Sequence, residues 1–322
     1  MQVRQAEVRA MRVRSGWLAA HPYAYGWGVV AAIVACDLLW LRAGGYAVQR
    51  AGVAAALKLI GTCIGFAVLL VGVARVARYR ELAERFRYRE VAEALFATAL
   101  LAAFMAATGV LSYLCVSVNP PLIDAALIRA DAWLGFDWPR VFAWVQARPQ
   151  ARQVLAFAYD SAKWQLIVIP FLLAVLRDRG NLRAFVWLFM LSGMMVLAVS
   201  TPWPAASAFV HFGVSAPDTA DTVADFARLR AGSLHEIDLL TLQGLVSMPS
   251  FHTALGVIFA YALRRARGVS IVALGLNALM IASTPTQGGH YLVDVISGAV
   301  VAGAAIALVR SGGLDGRRQA QG

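Results

Sequence analysis

The chain has 322 residues, of which 60% are hydrophobic and only 15% charged, with a mean hydropathy of +0.65. Soluble domains carry roughly 45–50% apolar and about 25% charged residues, so a water-soluble globule is excluded, as are disordered, collagen-like and disulfide-stapled classes. The balance of 29 basic against 18 acidic residues gives +11, and its meaning depends on where along the chain the charges fall.

A helix rising about 1.5 Å per residue needs about 20 mainly apolar residues to cross roughly 30 Å of hydrocarbon. Eight stretches approach that length, near 25–41, 53–74, 91–117, 154–176, 184–200, 251–266, 269–284 and 290–310. The expected fold is therefore all-α, a polytopic bundle of about eight transmembrane helices. Ahead of the first stretch, Arg4, Arg9, Arg12 and Arg14 precede an apolar run without a small-residue cleavage site, the pattern of a cytoplasmic tail. Asp37 on the first span and Lys58 on the second should lie at similar depth, and an ion pair is expected there because a lone charge is expensive. The run 75–89 holds six arginines and reads as an inside anchor on anionic lipid, not as a nucleic-acid site. Cys36, Cys63 and Cys115 lie in apolar runs without metal-ligand spacing.

Farther along, segment 118–153 places Trp133, Trp138, Phe142 and Trp144 among charged residues, the composition of interfacial helices at headgroup level. On the fourth span Asp160 and Lys163 stand three apart and can pair on one helix face, or line a route for a lipid phosphate. Segment 201–249 is long and polar, and leads into the sixth span. Its His211 and His235 sit in no motif and read as ordinary loop histidines. With the N-terminus inside, 19 of the 27 arginines fall on the inner side, in five segments that all agree. Both termini are then cytoplasmic and the long loops face outward, where a site is expected.

Two of the five histidines stand at matching places. His252 lies in Ser-Met-Pro-Ser-Phe-His-Thr at the outer start of the sixth span, and His290 in Gly-Gly-His-Tyr-Leu-Val-Asp at the outer start of the eighth. A helix N-terminus offers unpaired N–H groups and partial positive charge, which suit a phosphate-like anion. Pro249 suits a first helical position, Ser250 a cap or a hydroxyl donor, and Gly288 and Gly289 a close backbone approach to a ligand. Asp294, four residues after His290, can orient its imidazole and stabilise charge on it. Gln287 and Tyr291 flank His290 and are weaker candidates for substrate contact.

Pro-Ser-Phe-His, followed some forty residues later by Gly-Gly-His-Tyr-Leu-Val-Asp, resembles the second and third signature motifs of the type 2 phosphatidic acid phosphatase superfamily. Within it the chain looks most like the branch containing fungal inositol phosphorylceramide synthase and many bacterial membrane proteins. The resemblance covers residues 91–310, a six-helix catalytic core, and leaves 1–90 as a tail with an accessory two-helix hairpin and 311–322 as a second tail. It implies attack of His290 on phosphorus, a phosphohistidine, and His252 as proton donor to the leaving oxygen, without metal or cofactor. The implied substrate is a lipid phosphate handled at the outer face of the plasma (inner) membrane.

The sequence departs from that family pattern at two places. Ser283 and Thr284 stand where Ser-Arg usually opens the third motif, and the lysine-containing first motif is absent, its nearest match beginning at Lys163. Charge for the phosphate must then come from elsewhere, and Arg230, with Arg228 behind it, is the candidate from the loop before the sixth span. The missing arginines suit a transferase passing the phosphoryl group to an alcohol as well as a hydrolase. A non-catalytic lipid-binding or transport protein is the reading from another class. The spans exclude a soluble haloperoxidase.

Overall fold

The computed structural model describes residues 23–214, 220–242 and 244–312, so the arginines of both tails lie outside the described residues. Among the described residues thirteen α-helices run in chain order: α1 Ala24–Gly44, α2 Arg50–Val73, α3 Arg80–Arg85, α4 Tyr88–Ser117, α5 Asp124–Trp133, α6 Trp138–Gln146, α7 Pro149–Val175, α8 Arg179–Ser200, α9 Ala208–His211, α10 Ala220–Arg230, α11 Phe251–Leu263, α12 Val269–Gln287 and α13 Leu292–Ser311. The only sheet among the described residues is a two-residue parallel bridge, β1 Ala47–Val48 on β2 Glu236–Ile237. An all-α bundle is what the hydropathy pattern implied.

Each of the eight apolar stretches is a helix. Six of these (α1, α2, α4, α8, α12 and α13) are long and apolar enough to cross a membrane. The chain is thus a multi-pass membrane protein. The other two differ for physical reasons. Helix α7 has 27 residues but carries Arg152, Asp160 and Lys163. Helix α11 has 13 residues, about 20 Å of rise, too little to cross the hydrocarbon alone.

Local signals set the helix ends. Asp137 caps α6 by accepting the Arg140 N–H, with a proline in the first turn, and Asp178 caps α8 by accepting the Asn181 N–H. Gly45, at φ +69°, ends α1 in the left-handed conformation that glycine adopts without penalty. At the opposite end from the histidines, Glu93 lies between Arg179 and Arg183, at 2.9 and 3.8 Å, and joins the starts of α4 and α8.

The core packs α8 against both α4 and α11, with Leu100, Phe104, Phe185, Ile258 and Phe259 all but fully buried. Inside it, Asn277 of α12 donates to Gln165 of α7 at 2.8 Å, a buried polar tie of the kind that joins helices in lipid. The accessory hairpin is not a packed pair, because α1 and α2 each lie on α4 rather than on each other. The expected Asp37–Lys58 ion pair fails for that reason. Asp37 is 4% exposed with Oδ1 unpartnered, while Lys58 faces outward on α2.

Gly298 of α13 lets that helix pack closely on the start of α11. A Cβ built there would lie 2.2 Å from the Ser250 carbonyl oxygen and 3.0 Å from Thr253 Cβ. Helix propensity alone favours Gly298→Ala by about 1 kcal/mol. The backbone clash opposes it, and overpacking of this kind costs about 1–3 kcal/mol. The net expectation is a lower unfolding temperature for the purified variant; an unchanged or higher one in detergent would show that α13 can move away from α11.

Candidate active site

His252 is the second residue of α11, and its ring stacks on Tyr159 of α7 with centroids 4.0 Å apart and planes inclined by 13°. Ser250 caps this helix and is fully buried. Its Oγ accepts from the Thr253 N–H at 3.3 Å and the Thr253 hydroxyl at 3.2 Å, and its own N–H donates to the Asp294 carbonyl at 3.0 Å. Ser250 is therefore a cap and a brace between α11 and α13. Pro249 follows a cis peptide bond and precedes the cap instead of opening the helix.

His290 is not in the first turn of the last span, contrary to the sequence reading. Helix α13 begins at Leu292 with Tyr291 as its cap, and His290 sits in the loop ahead of it. Asp294 is the third residue of α13. Its Oδ2 accepts from the Tyr291 N–H at 3.0 Å and from the Ser247 hydroxyl at 3.1 Å, and lies 3.5 Å from His290 Nδ1. Hydrogen bonds to nitrogen run from about 2.7 to 3.2 Å, and His290 Nδ1 is buried without one. A closure of about half an ångström would form it, and such bonds tighten when a substrate is bound. The juxtaposition thus arises from helix capping, not from two side chains on one helical face.

Both imidazoles line one cavity of about 310 Å³, between α4, α8, α10 and the loop before α11. Its polar end holds Ser207, Ser247 and the two histidines; its apolar arm runs past Phe104, Phe189 and Val196. Gly288 also lines it, and there a Cβ would meet His290 Cδ2 at 2.8 Å and the Tyr159 hydroxyl at 2.9 Å. No lysine, arginine, aspartate or glutamate lines this cavity among the described residues.

None of the five residues expected to hold substrate lines the cavity. Arg230 donates from Nη2 to the Pro120 carbonyl at 2.8 Å, its guanidinium stands 5.6 Å from the Phe226 ring, and Nη1 is buried without a partner. Burial pulls the Arg230 pKa below its ordinary value, while the nearby Asp124 carboxylate acts in the opposite direction. Arg228 stands 3.7 Å from Asp225 on a separate polar cleft shared with His235 and Glu236. Lys163 is exposed and bonded to Asp160 at 3.1 Å, so the expected pair forms, and neither residue lines the cavity. Gly289, at φ +65°, meets Phe209, whose Cδ2 lies 2.3 Å from a built Cβ; the glycine serves packing. Ser250 is accounted for as the cap. Tyr291 is fully buried and donates its hydroxyl hydrogen to Asp124 at 2.8 Å, so it is a structural residue rather than a substrate contact. Thr284, where the motif has arginine, is buried, and its carbonyl accepts from the Gly288 and His290 N–H groups at 3.0 and 3.4 Å.

Two acids that sequence reasoning passed over hold the His290 loop from outside. Asp131 accepts from the Leu292 and Val293 N–H groups at 2.9 Å each, and Asp124 accepts from Tyr291 and from the Ala206 N–H at 2.9 Å. Burial raises the Asp131 pKa from its ordinary value, and the two N–H bonds hold it down in part. Their seven-residue spacing was the available signal, masked by the surface-like composition of the segment. The aromatic residues beside them close the end of α12: Trp138 is buried, stacks on Phe142 and Phe212, and donates to the Pro285 carbonyl at 3.0 Å. Trp133, by contrast, is 95% exposed.

A family model described as the PAP2 superfamily matches residues 125–308, more than half of the chain, from α5 to α13 and across both histidine segments. No curated protein and no solved structure matches the chain.

Proposed function

Because the chain belongs to the PAP2 superfamily, whose members are generally phosphatases and phosphotransferases, we propose that it is a membrane enzyme cleaving a lipid-linked phosphate ester through a phosphohistidine on His290. The observation that carries this reading is the meeting of His252 and His290 in one cavity, with Asp294 behind the second imidazole. In the proposed reaction the His290 Nε2 lone pair attacks phosphorus as the bond to the leaving alcohol breaks. His252 gives that oxygen its proton, and Asp294 stabilises the positive imidazole. An acceptor then attacks the phosphohistidine, losing its proton to His252 and restoring His290. The apolar arm of the cavity receives the chain of the lipid. On this reading residues 91–310 form the catalytic core and 1–90 an accessory part. The site faces outward from the plasma (inner) membrane, and both termini lie inside with the arginine-rich segments.

A second reading concerns the acceptor, and the uncharged cavity wall favours it. A phosphomonoester carries close to two negative charges at neutral pH, with a second pKa near 6, whereas a phosphodiester carries one. Desolvating the extra charge without a cation is costly. The cavity therefore suits a phosphodiester lipid whose headgroup or lipid phosphoryl passes to an alcohol, as in the inositol phosphorylceramide synthase branch that the motifs resemble.

The test is a panel of vesicles containing phosphatidic acid or phosphatidylinositol, with and without an acceptor alcohol, beside p-nitrophenyl phosphate and bis(p-nitrophenyl) phosphate. Faster turnover of the diesters, dependent on acceptor for the lipid, is expected. Efficient release of inorganic phosphate from phosphatidic acid alone would overturn the transferase reading and leave the hydrolase. No turnover across the panel, with no vanadate binding, would leave the lipid-binding alternative.

A further inference from the structure

We propose that α5 is the positioning element for His290, acting through Asp131 and Asp124; the inference rests on the catalytic reading of His290. The buried residues of α5 are Asp124, Leu127 and Asp131, at 7, 4 and 3% exposure. Spacings of three and four place them on one stripe of the helix. An interfacial helix ordinarily buries an apolar stripe and exposes its charges. Here the order is reversed, with two carboxylates inside and Trp133 and Leu134 outside. Burying carboxylates contributes little to stability compared with apolar side chains of similar size, so the arrangement calls for another account.

The hydrogen bonds supply it. His290 N–H is held by the Thr284 carbonyl, Tyr291 N–H by Asp294, Tyr291 hydroxyl by Asp124, and Leu292 and Val293 N–H by Asp131. Four consecutive residues starting at the nucleophile are thereby pinned, and the last three depend on carboxylates. Asp124 also holds the Ala206 N–H, so the same helix fixes a further residue of the cavity wall. Asp131 has a second effect. It occupies the first two N–H groups of α13, where an incoming phosphate would otherwise dock. The substrate anion is left to the cavity that His252 and His290 both line.

The experiment compares the full-length wild type with Asp131→Asn, which keeps one acceptor oxygen and nearly the same shape, and with Asp131→Ala. Turnover of bis(p-nitrophenyl) phosphate, inhibition by orthovanadate and hydrogen exchange of segment 288–293 are measured on each. Displacing a reacting group by about 1 Å costs on the order of a hundredfold in rate. The expected result is a kcat lowered about ten- to hundredfold in Asp131→Ala, with KM within about threefold. Asp131→Asn should fall between it and wild type, vanadate should weaken in step with kcat, and exchange at 288–293 should quicken in both. A kcat within twofold of wild type in folded Asp131→Asn and Asp131→Ala, whatever their melting temperatures, overturns the proposal and makes α5 a structural cap. Should Asp131→Ala fail to fold, Asp131→Asn decides. An inactive wild type would overturn the catalytic reading, and unchanged exchange at 288–293 would separately overturn the positioning one.

Discussion

Replacing His290 with alanine is expected to leave a folded protein with turnover reduced about 10⁴-fold or more and no acid-labile phosphoenzyme. The imidazole is 5% exposed, in a loop whose backbone is pinned on both sides, so the side chain contributes little to holding the loop itself. Its loss leaves a small void beside Gly288 and Asp294 and removes the imidazole that serves as nucleophile in the proposed mechanism. The measurement is single-turnover labelling with a phosphate-labelled substrate, quenched under alkaline conditions where phosphohistidine survives. Full activity in the purified variant would sink the mechanism, and residual labelling would move the nucleophile to His252.

His252→Ala is expected to show the second-largest effect, one that depends on the leaving group. General acid catalysis contributes about 10²–10⁴-fold when an alkoxide must be protonated as it departs. A nitrophenolate leaves without a proton, so with p-nitrophenyl substrates the loss should shrink to about tenfold or less. The stacking of His252 on Tyr159 supports this use of the ring, because it fixes the imidazole plane at the cavity wall while one edge stays open. Equal losses with natural and nitrophenyl substrates would instead assign His252 to binding the phosphate. Parallel measurement of unfolding temperature separates either outcome from lost packing against Tyr159.

Much of the fold was legible because apolar length is a local property. All eight stretches are helices, and α11 starts after Ser250 as a cap, with Pro249 ahead of the helix and not at its first position. The helices α5 and α6 were anticipated from the tryptophans of 118–153, but not which of their residues turn inward. Charged residues fared worst. Asp37 and Lys58 were paired by depth alone, yet α4 lies where a direct α1–α2 interface would be needed. Arg230 stands near the site in sequence order, but its guanidinium turns to the Pro120 carbonyl and the Phe226 ring and does not line the cavity. Asp131 went unnoticed among the charged residues of an interfacial segment and is 3% exposed.

What the sequence determined by itself was the solvent, the helical class and the pair of histidine segments, since each depends on residues within one run of chain. The site's electrostatics belong to the tertiary structure. Whether a cation reaches the cavity, and which acid holds the His290 loop, depends on the directions of side chains from α5, α10 and the start of α13, as much as 167 residues apart. The net charge of +11 therefore describes the chain but not its cavity, whose wall among the described residues carries no charged side chain beyond what the two histidines can acquire. Charge summed along a sequence is indifferent to direction, and in a low-dielectric interior direction decides which charges act.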